Sequence, residues 1–277
     1  MIVQMKRVVQ MKKLWVVFSM FFITGFTFAQ QADNALQGYF EEQGNETFYK
    51  GFSFDGNGKV AGGISNGYYF TRNDSLIVFP DKDIFIFKIK KGKLIGISDW
   101  VKKGVWAPKK DSSEVNNRKD PEEAQRKAAL LAAFYDKTKN RSALDALFSD
   151  DLLNINEDFC NRGLPKACLN TFGIKMVKYT PGLLEGDPEK IKEKKLKPHP
   201  ELIRLSQKIV SLGETEGYNV LGAYYMILGL QDKALETWEE GEKHGDMASA
   251  LSRGLLDLGE DMDKENSSDR TIKSKKK

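Results

Sequence analysis

Along residues 36–108 the hydrophobic positions recur with a period of two, which is the pattern of half-buried β-strands. In the segment DIFIFKIK, for example, Phe85, Phe87 and Ile89 fall on one face and can all point toward a core. Turn residues separate such segments, and the DGNG at 55–58 supplies the positive-φ positions that a tight hairpin needs. The pattern predicts an antiparallel β domain at 36–108, either a meander sheet or a small barrel of about seven strands.

From Asp120 onward the hydrophobic period changes to 3.6, which indicates α-helices. Asp120 is expected to cap the first helix, because Pro121 suits the first helical position and an Asp side chain can accept hydrogen bonds from the free N–H groups. Further helical segments follow, with breaks expected at Ser149-Asp150, at 163–165 and at 180–182.

These two patterns define the predicted organisation of the chain. The segment between them is polar and mixed in charge, with one apolar residue at Val115, and the C-terminal end is mostly polar. The predicted parts are a β domain at 36–108, a linker at 109–119, an α-helical domain at 120–260 and a disordered tail at 261–277. The fold class is therefore α+β, with two domains.

The first 29 residues have the features of a cleavable signal peptide. A basic start precedes an apolar run at 14–28, and small residues at Thr27 and Ala29 favour cleavage near Ala29. The alternative is an uncleaved anchor, but the run is shorter than the roughly 18 residues that favour a spanning helix. We expect a secreted or periplasmic protein with no membrane span after cleavage.

Removal of the signal peptide changes the charge of the chain. The full sequence has a formal net charge of +4, and the first 29 residues carry four basic and no acidic side chains. The mature chain is therefore close to neutral, and we expect no nucleic-acid partner, because such proteins carry a basic surface.

Cys160 and Cys168 are the two cysteines of the sequence. In an oxidising compartment an isolated pair favours a disulfide over a metal site or a redox centre, with two buried free thiols as the alternative. On one continuous helix they would lie about 12 Å apart, but the Gly163 and Pro165 between them break the helix. This spacing resembles the disulfide-linked units of the cysteine-rich Sel-one-like repeats, in which the bridge ties the end of one helix to the start of the next.

The stretch from Tyr218 to Asp246 carries small and large residues at a characteristic helical spacing. The packing positions are Tyr218, Leu221, Gly222, Tyr225, Gly229, Ala234 and Trp238. Gly222 and Ala234 let two antiparallel helices approach closely, Gly229 ends the first helix, and Asp232 is expected to cap the second. This spacing resembles the tetratricopeptide repeat, with Gly241 and Asp246 as departures from its pattern.

Glycines nine residues apart support a repeat. Gly213 and Gly222 form one pair, and Gly245 and Gly254 form another, offset from the first by 32 residues. The phrase is similar to that of Sel-one-like repeats, and the unit that begins at Asp246 is expected to be a terminal cap. The resemblance implies a concave face for a protein or peptide partner. On that face it places Asn219, Ala223 and Met226, which could instead pack against the preceding helix pair.

The N-terminal half resembles small lipocalin-like domains of secreted bacterial proteins. The matching pieces are Phe54-Asp55-Gly56, Gly67-Tyr68-Tyr69, Asp74-Ser75-Leu76 and Trp100. The resemblance implies either a small apolar ligand inside the β domain or an interior filled by side chains, and we favour the filled interior.

The sequence shows no nucleophile motif, phosphate loop or clustered metal ligands. His199 and His244 are expected at the surface. We therefore expect a non-enzymatic protein–protein interaction module without a cofactor or metal. The alternative is a carrier or sensor that binds a small apolar ligand in the β domain.

Overall fold

The computed structural model describes the chain at 32–33, 35–62, 65–80, 83–109, 120–141, 145, 149–186, 191 and 193–256. The predicted signal peptide, the linker beyond residue 109 and the predicted polar tail lie outside these residues. The chain divides into two compact units, 1–129 and 130–277, so the division falls within the first helix after the linker.

The N-terminal unit is an eight-stranded closed antiparallel barrel in which each strand pairs with the next and the last pairs with the first. The strands are β1 (Gln37–Glu42), β2 (Gly51–Asp55), β3 (Lys59–Gly62), β4 (Ser65–Arg72), β5 (Ser75–Phe79), β6 (Phe85–Lys90), β7 (Lys93–Gly96) and β8 (Val105–Pro108). The pairing of β1 with β8 closes the barrel and sets Phe40 opposite Pro108. Closure leaves no strand edge of the barrel without a neighbour.

The sequence-based count of about seven strands is wrong because it missed β1. That strand, QGYFEE, has two aromatic residues beside two glutamates, so its alternation is weak. The segment Thr47–Lys50, which lies within the predicted β domain, forms a loop before β2. Lys109, which we assigned to the linker, extends the barrel ladder, since its N–H donates to the Tyr39 carbonyl at 2.9 Å.

The short hairpins form where the turn residues predict them. In the β2–β3 hairpin Gly56 has a φ of 75°, a conformation that glycine adopts without steric cost. The Asp55 carboxylate accepts hydrogen bonds from the Asn57 and Lys59 N–H groups at 2.7 and 2.9 Å. Lys91 and Gly92, both with positive φ, make the β6–β7 turn.

Side chains from every strand fill the interior of the barrel. The fully or nearly buried set is Phe40, Phe52, Phe54, Val60, Tyr69, Leu76, Val78, Phe85, Phe87, Leu94, Val101 and Trp106. The Phe52 ring lies edge-on to both Phe87 and Trp106, with centroids 5.4 and 5.5 Å away. The interior is thus a packed aromatic core, in agreement with the filled interior that we favoured.

The tryptophan of this core is not the one that the lipocalin-like resemblance used. Trp100 lies in the loop between β7 and β8 and is 60% exposed, whereas Trp106 on β8 is fully buried. The Trp106 indole N–H donates to the Tyr49 carbonyl at 2.9 Å, which satisfies its one polar group.

The C-terminal unit is helical. From Pro121 onward the helices with described bounds are α1 (Pro121–Thr138), α2 (Asp150–Asn161), α3 (Pro165–Tyr179), α4 (Pro200–Ser211), α5 (Glu216–Ile227) and α6 (Gln231–Lys243), followed by α7 at 247–256. A 3₁₀ turn, Leu183–Glu185, lies between α3 and α4. The breaks expected at Ser149-Asp150, at 163–165 and at 180–182 are confirmed. Helix α2 begins at Asp150, and α3 spans the segment between the other two breaks.

The start of α1 follows the capping prediction. The Asp120 carboxylate accepts hydrogen bonds from the Glu122 and Glu123 N–H groups at 3.1 and 3.0 Å, and Pro121 occupies the first helical position. The structure therefore has the predicted α+β class, with an antiparallel barrel followed by a helical half.

Candidate functional site: the helical stack

Cys160 and Cys168 lie together at the junction of α2 and α3. Their sulfur atoms are 2.13 Å apart, the distance of a disulfide, and both residues are buried. Gly163, with a φ of 87°, makes the turn that brings the start of α3 back to the end of α2. The cross-link fixes this corner of the helical half.

Helices α5 and α6 approach each other closely at Gly222, as the sequence predicted. A Cβ placed on Gly222 would overlap the indole ring of Trp238, so no larger residue fits without moving a helix. Ala234 is fully buried, and the Trp238 indole N–H donates to the Asn219 carbonyl at 3.2 Å. The structure therefore explains Gly222, Ala234 and Trp238 as packing residues.

The aromatic residue of α5 that lies in the core is Tyr224, whereas we expected Tyr225. Tyr225 is half-buried beside the Lys233 ammonium, which lies 5.9 Å from its ring centroid. Its neighbour Tyr224 is 1% exposed and accepts a hydrogen bond from the His199 N–H at 2.9 Å. Tyr224 therefore fills the core position, and Tyr225 lines its edge.

The turns around α5 and α6 place the remaining predicted residues. Leu221 is buried and Tyr218 stacks on the His244 ring at 5.4 Å. Gly229, with a φ of 74°, follows the end of α5 as predicted. Asp232 is not a cap: α6 begins at Gln231 after Leu230 without a side-chain cap, and Asp232 lies in the first turn.

The two departures from the tetratricopeptide pattern have physical reasons. A Cβ on Gly241 would lie 2.8 Å from the Cβ atoms of both Tyr218 and Ser249, so only glycine fits between the helices there. Asp246 is buried and accepts a hydrogen bond from the Ser249 N–H at 3.0 Å. It thus caps α7 in place of a proline.

The structure gives one of the three predicted partner-binding residues a partner within the chain. The Asn219 amide oxygen accepts a hydrogen bond from the Ser252 hydroxyl of α7 at 3.0 Å. Ala223 and Met226 lie along the same side of α5 by their spacing and are half-buried. Asn219 therefore faces α7. The assignment of Ala223 and Met226 to a partner stays a prediction.

A polar cluster that the sequence did not reveal joins α2, α3 and α4. The Lys175 ammonium pairs with Glu157 at 2.5 Å and with Glu201, and the Tyr179 hydroxyl donates to Glu201 at 2.5 Å. His199, which we placed at the surface, is half-buried and stacks on Tyr179 with ring centroids 3.7 Å apart. Its members lie up to 44 residues apart along the chain, so no local sequence pattern could indicate it.

The charged forms of Lys175 and Glu201 are stabilised within the cluster. Burial disfavours the charged form of Lys175, but hydrogen bonds to Glu157 and Glu201 outweigh this and raise its pKa. Hydrogen bonds from Lys175 and Tyr179 lower the pKa of Glu201. A lysine that keeps its proton is a poor nucleophile, so this geometry suits an ion network between helices.

Two further properties of the described parts of the chain concern metal ions and membranes. No group of three or more His, Cys, Asp or Glu side chains among those residues is placed to hold a metal ion. Within the same residues, no helix is long and apolar enough to cross a bilayer. Comparison with protein-family profiles, with curated proteins and with solved structures found no match to this chain.

The close approach at Gly222 predicts that alanine substitutions at two glycines change the free energy of unfolding in opposite directions. We expect Gly222→Ala to lower the free energy of unfolding by about 1–3 kcal/mol, because the new methyl group collides with Trp238. Gly254 on α7 has open space where its Cβ would lie, so Gly254→Ala should raise it by up to about 1 kcal/mol through helix propensity. Urea unfolding followed by circular dichroism measures both, and changes of the same sign would contradict this packing.

The Lys175 cluster predicts a pH-dependent stability. The pKa of Glu201 is lowered from 4.5, so its contribution is present at neutral pH and is lost as pH falls below that value. The pKa of Lys175 is raised from 10.5, so its contribution persists below that pH and is lost only above it. We expect Lys175→Met to lower the free energy of unfolding by about 1–3 kcal/mol at neutral pH, and this loss should shrink in acid.

The matched control for this measurement is Lys178→Met on the same helix. Lys178 pairs with Asp150 at 2.9 Å, but that carboxylate is largely exposed, so its removal should have no measurable effect. If Lys175→Met and Lys178→Met behave alike at every pH, the cluster does not stabilise the helices.

Proposed function

We propose that the helical half is a tetratricopeptide- or Sel-one-like module that binds a protein or peptide partner, and that the chain is not an enzyme. The observation that carries the proposal is the α5–α6 contact. Gly222, Ala234 and Trp238 stand at the spacing of such repeats and make the close helix contact that this spacing serves. Repeats of this kind stack in series and use the resulting surface for binding.

Three contacts fix which sides of α5 pack against the neighbouring helices. The Gly217 carbonyl accepts a hydrogen bond from Ser206 of α4 at 3.0 Å, Gly222 faces α6, and Asn219 faces α7. Beside these contacts lie half-buried apolar residues spaced three and four apart: Val220, Ala223, Met226 and Ile227. This apolar side suits one face of an extended peptide or a partner helix.

The barrel supports a structural role better than the alternative role of a carrier. Its interior is occupied by aromatic side chains, from Phe52 and Phe87 to Trp106, that pack against one another. The predicted location is the periplasm or the cell exterior. The Cys160–Cys168 pair at disulfide distance is compatible with an oxidising compartment.

Site-specific photocrosslinking in the host cell tests this proposal. A photoreactive phenylalanine analogue at Ile227 should give a discrete adduct with another protein, because Ile227 lies on the proposed binding side. The same analogue at Glu236, an exposed position on α6, is the matched control and should give none. Identical adducts at both positions, or none at Ile227, would contradict the assignment.

A further inference from the structure

The turn between β6 and β7 carries a concentration of basic side chains. Lys88 and Lys90 lie in the last three residues of β6, Lys91 lies in the turn, and Lys93 begins β7. All four are exposed, and the segment 84–98 around them contains no acidic residue. We call these four lysines the lysine hairpin. The rest of the chain after the predicted signal peptide does not share this bias, because its net charge is close to zero.

The ammonium groups at the tip of the lysine hairpin have no acidic partner within the parts of the chain that the structure describes. No ion pair or hydrogen bond there joins the side chain of Lys90, Lys91 or Lys93 to a carboxylate. The tip therefore presents three positive charges to the solvent.

The carboxylates that flank the lysine hairpin are bound within the chain. Because neighbouring strands are antiparallel, the β2–β3, β4–β5 and β6–β7 turns lie at the same end of the barrel. The Asp55 carboxylate accepts hydrogen bonds from the Asn57 and Lys59 N–H groups at 2.7 and 2.9 Å. The Asp74 carboxylate pairs with the Lys88 ammonium at 3.1 Å. These contacts leave the charges at the tip uncompensated.

The tip holds its lysines in positions that destabilise a hairpin. Lys90 and Lys93 lie directly opposite each other in the β6–β7 ladder, where like charges repel. Lys91 has a φ of 52°, in the left-handed region that favours glycine or asparagine. Gly92 follows with a φ of 73°, so both central residues fit a type I′ turn, in which Asn-Gly is the preferred pair. The turn itself therefore does not explain a lysine at 91.

The usual structural reason for lysines on a strand does not apply to this hairpin. Lysines on the edge strand of an open sheet prevent pairing with another chain. Strands β6 and β7 each have two neighbours in the closed barrel, so neither has an edge to protect. Positions at which a sequence departs from local preference without a gain for the fold are expected to serve function.

The chemistry of the lysine hairpin fits an extended anionic surface better than a single bound anion. Lysine carries a compact point charge and lacks the planar fork by which arginine binds one carboxylate or phosphate. The segment 84–98 contains four lysines and no arginine. Exposed point charges act together on an array of lipid phosphates, and each lysine near an anionic membrane strengthens binding about fivefold.

We propose that the lysine hairpin holds the barrel against a membrane surface of anionic phospholipids, with the ammonium groups of Lys90, Lys91 and Lys93 at the lipid phosphates. The predicted export of the chain brings it to membrane surfaces. The contact is electrostatic and lies at the level of the headgroups, so it needs no apolar insertion and weakens with salt. It concerns the barrel alone and does not rest on the role that we propose for the helical half.

Vesicle flotation of the chain, purified as the host processes it, tests the proposal without any variant. At low salt the chain should float with phosphatidylcholine vesicles that contain about one third phosphatidylglycerol, and not with pure phosphatidylcholine. This binding should disappear at about 0.5 M salt, because salt screens exposed charges. Equal flotation with both vesicles, binding that salt does not weaken, or binding to soluble polyphosphate with none to the anionic vesicles would overturn the proposal.

A double variant assigns the binding to the hairpin. Lys90→Gln combined with Lys91→Asn should lower the affinity for the anionic vesicles at least about tenfold, since each lysine contributes about fivefold. Asparagine suits the backbone conformation of residue 91, so this variant should unfold at no lower urea concentration than the wild type. A loss of binding in a protein of unchanged or higher stability shows that the lysines act on the membrane rather than on the fold.

The matched control is Lys102→Gln combined with Lys103→Asn. These two exposed lysines lie in the β7–β8 loop, at the other end of β7 from the lysine hairpin. Lys103 also has a positive φ, 73°, so the control makes the same change in charge at a similar backbone conformation. Its affinity for the anionic vesicles should equal that of the wild type. Equal losses of affinity in the two double variants would overturn the proposal.

Discussion

The interaction on which the end of the helical half depends is the packing of α6 and α7 against one face of α5. On α5 this face has no side chain at Gly222, and the indole of Trp238 occupies the space. Asn219, on the same face, accepts a hydrogen bond from Ser252 of α7. These two contacts fix how α6 and α7 pack against α5.

The barrel solves the corresponding problem by closure. Its eight strands pair in sequence order and β8 pairs with β1, so every strand has two neighbours. Inside, Phe52, Phe87 and Trp106 pack edge to face and leave the interior to side chains. The unit is thus a closed barrel with a core of side chains, and the protein-recognition surface that we propose lies on the helical half.

Much of this fold could be predicted from local sequence signals. The alternation of apolar and polar residues predicted β6, and Asp120 predicted the start of α1. The spacing of Gly222 and Trp238 predicted a close helix pair. The strand β1 was missed because its alternation is weak, and its place is fixed by pairing with β8, about 65 residues away. The Lys175 cluster depends on partners from three helices, and such long-range contacts leave no local pattern.

Hydrogen–deuterium exchange of the wild type and of Gly222→Ala tests the central claim most directly, since it compares α5, α6 and α7 with the rest of the chain in one sample. If the packing of these helices depends on the missing side chain at Gly222, amide exchange at 216–256 is faster in Gly222→Ala, while exchange in the barrel strands stays the same. Equal exchange rates at 216–256 in the two proteins would contradict the account.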